Sequence, residues 1–140
     1  MYFFAYGSSM NLGHMRRLCG WNCRPVGPAK LADYEFGLDT RGYNNVRPMR
    51  GEFVWGTLFE INEAALASMD EFEGYPRVFD RREITAIDDS GDSVTAWMYL
   101  EPVDQFGNSR GKPDHVKAIL TGARENGLPE DWIKKLETFL

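Results

Sequence analysis

The segment EFVWGTLFEI at residues 52–61 restricts the fold more than any other part of the chain. Apolar side chains occupy both of its alternating faces, with Phe53, Trp55, Phe59 and Ile61 on one and Val54 and Leu58 on the other. Successive side chains of a strand point to opposite sides of its sheet, so such a strand must be covered on both sides or line a closed barrel. Residues 1–6, MYFFAY, also lack a polar face and predict a second, central strand.

Further strands are predicted in the first two thirds of the chain. Extended character runs over residues 24–40, and a turning region follows that is marked by Gly37, Gly42, Pro48 and Gly51. Residues 78–88 and 93–101 predict a hairpin across the turn sequence DDSGD.

Helices are predicted mostly towards the end of the chain. The first covers residues 10–19 with Ser8 or Ser9 as its N-cap, and others cover 62–74 and 113–126. The last begins with Pro129 at its first turn. Six or so short strands with late helices predict an α+β fold on a closed or nearly closed sheet, with residues 1–140 forming one domain.

Charge and composition argue against several classes of function. The net charge of −5 disfavours nonspecific nucleic-acid binding, which needs a basic surface. The opening apolar run is too short and lacks the basic flank of a signal peptide, and no stretch approaches the roughly 20 apolar residues of a membrane span. We therefore expect a cytoplasmic protein without nucleic-acid or membrane partners.

Cysteines and histidines do not form a metal-binding pattern. Cys19 and Cys23 have no second pair nearby, and His14 and His115 lie far apart in sequence. A structural zinc site needs about four such ligands, so we expect no metal. Two cysteines in a chain of this size indicate a reducing compartment, and whether they form a disulfide stays open.

One carboxylate lies on the apolar side of a predicted helix. On a helical wheel, Glu73 falls between Leu66 and Met69, on the stripe that Ala65 and Phe72 complete. The other acidic residues of this segment lie nearer the edge of that stripe or off it: Glu63, Asp70 and Glu71. Glu73 is thus directed towards the interior while its neighbours can reach water.

Glu73 also lies at the carboxyl end of that helix, because Gly74 is a natural C′ residue and Pro76 prevents continuation. Burial and the negative end of the helix dipole should both raise the pKa of Glu73, which suits general acid–base catalysis. The alternative, equally compatible with the wheel, is a frayed end that faces solvent or pairs with an arginine. The candidate arginines are Arg77, Arg81 and Arg82. The other interpretation of these arginines is that they form a solvated face of a strand.

The segment YGSSMN after the opening strand allows two interpretations. A strand that turns through Gly-Ser-Ser into a helix exposes unpaired N–H groups, which suit an anion or an oxyanion. A plain strand–turn–helix connection fits the same residues.

Four stretches, FAYGSSMN, VWGTLFEI, LASMDEFEGYP and GARENGLP, resemble the γ-glutamylcyclotransferase (AIG2-like) family in their order and span nearly the whole chain. The resemblance implies a small mixed β-barrel surrounded by helices. It implies that a loop at Tyr6, Gly7, Ser8 and Ser9 holds a γ-glutamyl group through backbone amides. It also implies that Glu73 is the catalytic acid–base residue, the same position that the helical wheel singles out.

The implied reaction is an intramolecular cyclisation of a small-molecule γ-glutamyl substrate. The α-amine of the substrate attacks its own γ-carbonyl and expels the attached amine, which gives 5-oxoproline and a free amino acid. The stretch GARENGLP resembles enzymes that act on γ-glutamyl amino acids more than the glutathione-specific branch. No metal or organic cofactor is implied, and we expect a monomer or a homodimer.

Three positions depart from the family pattern. Ser9 stands where the loop usually ends in Asn, Phe79 where a Tyr often follows the glutamate, and His115 where a Tyr precedes the penultimate helix. Tyr75 is a candidate to replace the missing hydroxyl at Phe79, and His115 is a candidate substrate-binding residue. These changes predict an altered leaving-group pocket. Two alternatives stay open: a cyclotransferase with a different leaving amine, and a non-catalytic γ-glutamyl-binding module.

Overall fold

A computed structural model of the chain describes residues 1–102, 105–108 and 110–140. Its strands are β1 (Tyr2–Ala5), β2 (Cys23–Asp39), β3 (Asn44–Ile61), β4 (Asp80–Asp88), β5 (Ser93–Leu100) and β6 (Phe106–Asn108). Its α-helices are α1 (Leu12–Cys19), α2 (Glu63–Glu73), α3 (Pro113–Glu125) and α4 (Glu130–Glu137), and short 3₁₀ turns cover Ser8–Met10 and Gly20–Asn22. Within the described residues, every helix is too short or too polar to span a bilayer.

Five of the strands close into a mixed barrel. Strand β1 pairs antiparallel with β3 and parallel with β5. The ring continues from β5 to β4 and from β4 to β2, and it closes where β2 returns to β3. Strand β6 adds to β2 outside this ring. The predicted α+β fold on a small mixed barrel of about six strands is confirmed.

The two segments that first indicated a barrel, β1 and the second half of β3, form part of its wall and carry buried side chains. Strand β1 has a neighbour on each side, as its lack of a polar face predicts. In β3, Leu58 and Phe59 point to opposite faces, and both are buried. Phe4 pairs with Leu58 across the β1–β3 ladder, and each fully buried side chain of this size stabilises the fold by about 1.5–3 kcal/mol.

The predicted turning region over residues 37–51 is wrong for most of its length. Strands β2 and β3 form one long antiparallel ribbon, and only residues 40–43 turn, where Gly42 has a φ of 91°. Gly51 lies instead at an irregularity of the ribbon, where its N–H donates to the Asp33 carboxylate at 3.0 Å. A bulge next to Pro48 and a true turn have the same local composition, which explains the error.

Two predicted helix starts are also corrected. Asn11, and not Ser8 or Ser9, caps α1, because its Oδ1 accepts the backbone N–H of His14 at 3.0 Å. The serines begin the 3₁₀ turn that precedes the helix. Pro129 precedes α4 as its N-cap residue and is not inside the first turn. The predicted extents of α2, α3 and the β4–β5 hairpin are confirmed to within a few residues.

Helix α3 packs directly against the loop that follows β1. A Cβ added to Gly122 would lie 2.6 Å from the backbone of Met10 and Asn11, so only glycine permits this approach. Asn126 donates from Nδ2 to the Met10 carbonyl at 2.8 Å. The GARENGLP stretch therefore supports the FAYGSSMN loop from behind.

Candidate active site

Glu73 is the last residue of α2, and Gly74 ends the helix in the left-handed conformation with a φ of 71°. The side chain is mostly buried, and burial raises its pKa to about 7. Among the described residues, no hydrogen bond or ion pair engages the Glu73 carboxylate. The frayed-end alternative is therefore wrong, and the carboxylate stays available for a ligand.

The arginine that could have paired with Glu73 has another partner. Arg81 forms an ion pair with Asp70 and lies over the rings of Tyr75 and Trp97 at 4.5 Å from each centroid. The Asp70 carboxylate also accepts a hydrogen bond from the Tyr99 hydroxyl at 2.6 Å. Arg81 is thus mostly buried, contrary to the predicted solvated face, whereas Arg77 and Arg82 are exposed as expected.

The apolar stripe predicted on α2 is correct except at its end. Ala65 and Met69 are buried and Leu66 packs on the core. Phe72, however, is 57% exposed, and its ring meets that of His14 edge-on at 4.9 Å between centroids. The last two residues of α2, Phe72 and Glu73, border an open pocket.

The loop after β1 is held in place by a side chain from the start of β3. The backbone N–H of Ser8 donates to Asn44 Oδ1 at 3.1 Å. A Cβ on Gly7 would clash with the Asn44 side chain, so the loop and this amide can touch only because residue 7 is glycine. The loop turns through Ser8–Met10 and places Gly7 and Ser9 on the wall of a cavity.

Tyr6 has a structural hydrogen bond at the edge of the same cavity. Its hydroxyl donates to the Tyr99 carbonyl at 2.7 Å, and its ring is buried. Burial, followed by the nearby Glu73 carboxylate, raises the pKa of Tyr6 well above its ordinary value. The phenol therefore stays protonated and fixes the loop relative to β5.

Two adjoining pockets meet at Glu73. The inner one is narrow and is bordered by Tyr6, Gly7, Ser9 and Tyr99. The outer one is wider and open, and its wall includes Ser8, Arg41, Tyr43 and His115. Asn44, Glu73 and Phe79 border both. All six residues named from the sequence as site candidates, Tyr6, Gly7, Ser8, Ser9, Glu73 and His115, thus line one of these pockets.

His115 connects the outer pocket to the same asparagine. Its Nε2 accepts the backbone N–H of Asn44 at 3.0 Å, and its ring packs edge-on against Tyr43 at 4.9 Å. Burial lowers the pKa of His115. The imidazole is therefore neutral with its proton on Nδ1, because Nε2 acts as an acceptor. The proposed replacement of a hydroxyl by Tyr75 is not supported, since Tyr75 packs on Arg81.

Four residues that line the pockets were not predicted from the sequence: Arg41, Tyr43, Asn44 and Tyr99. Asn44 and Tyr99 lie in strands, and Arg41 and Tyr43 lie in a tight turn, where nothing in the local pattern separates them from ordinary surface or core residues. Only the closed barrel brings the β2–β3 turn next to the end of α2. Within the described residues, no group of three or more His, Cys, Asp or Glu is arranged to hold a metal ion.

Comparison with known proteins agrees with this geometry. The family model described as gamma-glutamyl cyclotransferase, AIG2-like, matches residues 3–126. The chain belongs to this family. The human protein named gamma-glutamylcyclotransferase is 32% identical over 146 residues, which cover 96% of this chain and 76% of the human one. The mouse protein of the same name is 29% identical over 148 residues, covering 96% of this chain and 76% of its own.

Solved structures share the fold. A structure titled gamma-glutamyl cyclotransferase superimposes with a TM-score of 0.90 at 23% identity, covering all of this chain and 88% of the other. A human protein superimposes with a TM-score of 0.87 at 25% identity, covering 99% of this chain and 87% of the other. Together these relatives confirm the predicted family, the predicted barrel and the predicted class of enzyme, a γ-glutamylcyclotransferase.

Proposed function

We propose that this enzyme converts a γ-glutamyl amino acid into 5-oxoproline and a free amino acid, with Glu73 as the general base and acid. The observation that carries the proposal is the position of Glu73. Its carboxylate has no protein partner among the described residues, has a pKa raised to about 7, and lies where two pockets meet at the glycine–serine loop. A group with this pKa can both take and return a proton near neutral pH.

The reaction needs protons to be taken from one nitrogen and given to another at the same position. Glu73 takes a proton from the substrate's α-ammonium, and the resulting amine attacks the γ-carbonyl carbon to form the new C–N bond of a five-membered ring. The protonated Glu73 then gives that proton to the departing nitrogen, because an amide nitrogen cannot leave as an anion. The old C–N bond breaks, and the ring nitrogen gives its remaining extra proton by way of Glu73 to the released amine, which leaves as an ammonium ion. Glu73 is again a carboxylate.

The pockets divide the substrate between them. The narrow inner pocket suits the γ-glutamyl group, and the open outer pocket accommodates a variable leaving group. Backbone amides at Gly7, Ser8 and Ser9 are the proposed donors to the glutamyl carboxylate or to the oxyanion. Because nucleophile and electrophile belong to one molecule, holding the substrate folded supplies much of the catalysis.

The place of His115 supports its assignment as a substrate-binding residue. Its ring forms part of the outer pocket, where the leaving group would lie. Its Nε2 is occupied by the Asn44 amide, so Nδ1 is the atom left to donate to a ligand. We place the enzyme in the cytoplasm because Cys19 and Cys23 are both free thiols, as is typical of a reducing compartment.

The test is release of 5-oxoproline from a panel of γ-glutamyl amino acids, glutathione and γ-glutamyl-ε-lysine. We expect Glu73→Gln to lower kcat by roughly 10²- to 10⁴-fold, the usual contribution of a general acid–base group, while the variant still binds a γ-glutamyl ligand. Glu71→Gln is the matched control, because Glu71 lies two residues earlier on the same helix and is exposed. The control should keep wild-type activity.

Each outcome distinguishes between the alternatives. Release of 5-oxoproline that depends on Glu73 supports the proposed reaction. The ranking of substrates then identifies the preferred leaving group, whether it is an amino acid or another amine. Ligand binding without release by the wild-type protein would favour the non-catalytic module. Normal turnover by Glu73→Gln would show that the base has been assigned wrongly.

A further inference from the structure

Arg41 places a fixed positive charge on the wall of the outer pocket. It lies in the turn between β2 and β3 and borders the same pocket as Glu73, Tyr43 and His115. The other titratable groups there are a carboxyl, a phenol and a neutral imidazole. The reaction described above assigns no role to this guanidinium.

Two buried carboxyl groups hold the Arg41 side chain from behind. Asp39 Oδ2 accepts from Nε at 3.2 Å and from Nη2 at 2.8 Å, and Glu101 Oε1 accepts from Nη2 at 2.6 Å. Asp39 is 0% exposed and Glu101 is 5% exposed, whereas the Arg41 side chain is 48% exposed. One edge of the guanidinium is thus anchored and the rest reaches solvent.

The anchor itself is rigid. Asp39 Oδ1 accepts the backbone N–H groups of Arg41 at 2.8 Å and Tyr43 at 3.0 Å, which fixes the turn that carries the arginine. The guanidinium carbon also lies 5.2 Å from the centroid of the Tyr43 ring. Among the described residues, no hydrogen bond involves Nη1 of Arg41. A held guanidinium with an unused donor loses little entropy when it binds an anion.

The two anchoring carboxyl groups do not both carry charge at neutral pH. Burial alone would raise the pKa of Asp39, but its hydrogen bonds with Glu101, with the backbone amides and with the Arg41 side chain lower it to about 2. Burial, followed by the neighbouring Asp39, raises the pKa of Glu101 to about 8. Arg41 therefore neutralises one negative charge, and nearby repulsion of an incoming carboxylate is limited.

We infer that Arg41 binds the α-carboxylate of the leaving amino acid and so selects γ-glutamyl amino acids over γ-glutamyl amines. The inference rests on the proposed function and adds a specificity-determining residue to it. The carboxylate of the leaving amino acid is attached one carbon away from the nitrogen that Glu73 protonates, and both Glu73 and Arg41 border the outer pocket. Arginine is well suited to a carboxylate because its planar donors match the two oxygens.

A second carboxylate in the substrate offers a competing explanation. The glutamyl group has its own α-carboxylate, which every γ-glutamyl substrate shares. Arg41 does not border the inner pocket, where the glutamyl group is proposed to lie. The two carboxylates can be separated experimentally, because the leaving amino acid can be replaced by the corresponding amine, which lacks only the carboxylate.

The experiment compares γ-glutamylalanine with γ-glutamylethylamide. Their leaving groups differ only by the carboxylate, so the ratio of their kcat/KM values isolates its contribution. We expect the wild-type enzyme to prefer γ-glutamylalanine by roughly tenfold or more, the usual effect of a hydrogen-bonded ion pair. Arg41→Met should bring the ratio close to one, and Arg41→Lys should give an intermediate ratio.

Two controls protect the interpretation. Lys112→Met is the matched variant, because Lys112 lies 5.3 Å from the centroid of the same Tyr43 ring but does not border the outer pocket. It should leave the ratio at its wild-type value, whereas a general field effect would lower the ratio in both variants. Because both substrates are measured on one preparation, partial misfolding of an Arg41 variant cancels from the ratio. If Arg41→Met does not fold, Arg41→Met with Asp39→Asn removes the unpaired charge, because Asp39 is the acid that the Arg41 guanidinium neutralises.

The outcomes separate this inference from the proposed function. No 5-oxoproline from either substrate with the wild-type protein would contradict the function itself. Turnover of both substrates without a preference for γ-glutamylalanine would overturn only the role of Arg41. An equal loss on both substrates in Arg41→Met would also overturn it and would assign the arginine to the glutamyl carboxylate.

Discussion

At the scale of single residues, Glu73 has to meet two opposing requirements. The reaction needs its carboxylate form, whereas burial in the pocket favours the protonated form and raises its pKa to about 7. The ionised enzyme is therefore held in a state that the fold disfavours, and the substrate's ammonium group supplies the missing partner. Sites of this kind are expected to reduce stability in return for activity.

Replacement of Glu73 should therefore stabilise the protein at alkaline pH. The folded-state pKa is raised, so the stability linked to protonation is present below the unfolded-state pKa of about 4.3 and is lost as the pH rises through 7. Glu73→Gln lacks this loss. Its free energy of unfolding at pH 8 should be about 1–2 kcal/mol higher than that of the wild type, after allowance for partial solvent screening.

Urea denaturation of both proteins at pH 8 and at pH 4.5 measures this difference. It should shrink towards zero at the lower pH, where the wild-type carboxyl is also protonated. Equal stability of the two proteins at pH 8 would indicate that Glu73 is as well solvated as a surface carboxylate.

At the scale of elements, the loop after β1 depends on close contact with the start of β3. Gly7 leaves room for the Asn44 side chain, which accepts the Ser8 amide and whose own backbone N–H donates to His115. One asparagine thus positions the proposed glutamyl loop and the histidine of the outer pocket together.

Gly7→Ala should impair substrate binding more than folding. The added Cβ clashes with Asn44, so the loop must move and the bond from Ser8 N–H to Asn44 breaks. We expect KM to rise at least about tenfold, which corresponds to about 1.4 kcal/mol, while the circular dichroism spectrum stays native.

Gly13→Ala is the matched control for this loop. Gly13 lies in α1, and a Cβ there would meet the Asn11 side chain only at 3.4 Å. Because Gly13 lies in the first turn of the helix, alanine there should stabilise the protein by no more than about 0.5–1 kcal/mol, the value for a helix interior. Equal kinetic effects of the two variants would argue against a special role of Gly7.

The elements also show what local patterns can and cannot predict. Glu73 could be found because it breaks the apolar periodicity of a helix whose end Gly74 and Pro76 mark. Asn44 could not, since its importance comes from contacts with Ser8 and His115, which are 36 and 71 residues away in sequence. Side chains that act through such distant contacts leave no periodic signal in the sequence.

At the scale of the whole molecule, barrel closure and helix α3 bring distant parts of the chain to one site. The barrel places the β2–β3 turn beside the end of α2, and α3 supports the loop after β1 through Gly122 and Asn126. The barrel could be predicted from strands that are apolar on both faces. The length of the β2–β3 ribbon could not, because Gly51 and Pro48 are typical of a turn, whereas here Pro48 pairs with Tyr34 and Gly51 lies at an irregularity of the same ribbon.

Asn126 tests this long-range support. Its Nδ2 donates to the carbonyls of Met10 at 2.8 Å and Gly122 at 2.7 Å, which ties α3 to the loop. Asn126→Ala should lower the free energy of unfolding by about 1–2 kcal/mol. It should also raise KM, because the loop after β1 loses its hydrogen bond to α3. An effect on thermal stability with unchanged KM would show that the loop does not need α3 for substrate binding.

The pH dependence of kcat/KM for γ-glutamylalanine tests the central claim, that Glu73 is the base, most directly. For the wild-type enzyme the value should rise with pH through a midpoint of about 7, because only the carboxylate form of Glu73 accepts the proton, and at pH 6 it should be about tenfold below its plateau. In Glu73→Gln this limb should disappear along with most of the activity. A wild-type profile that is flat between pH 6 and pH 8, or a limb that persists in Glu73→Gln, would contradict the account.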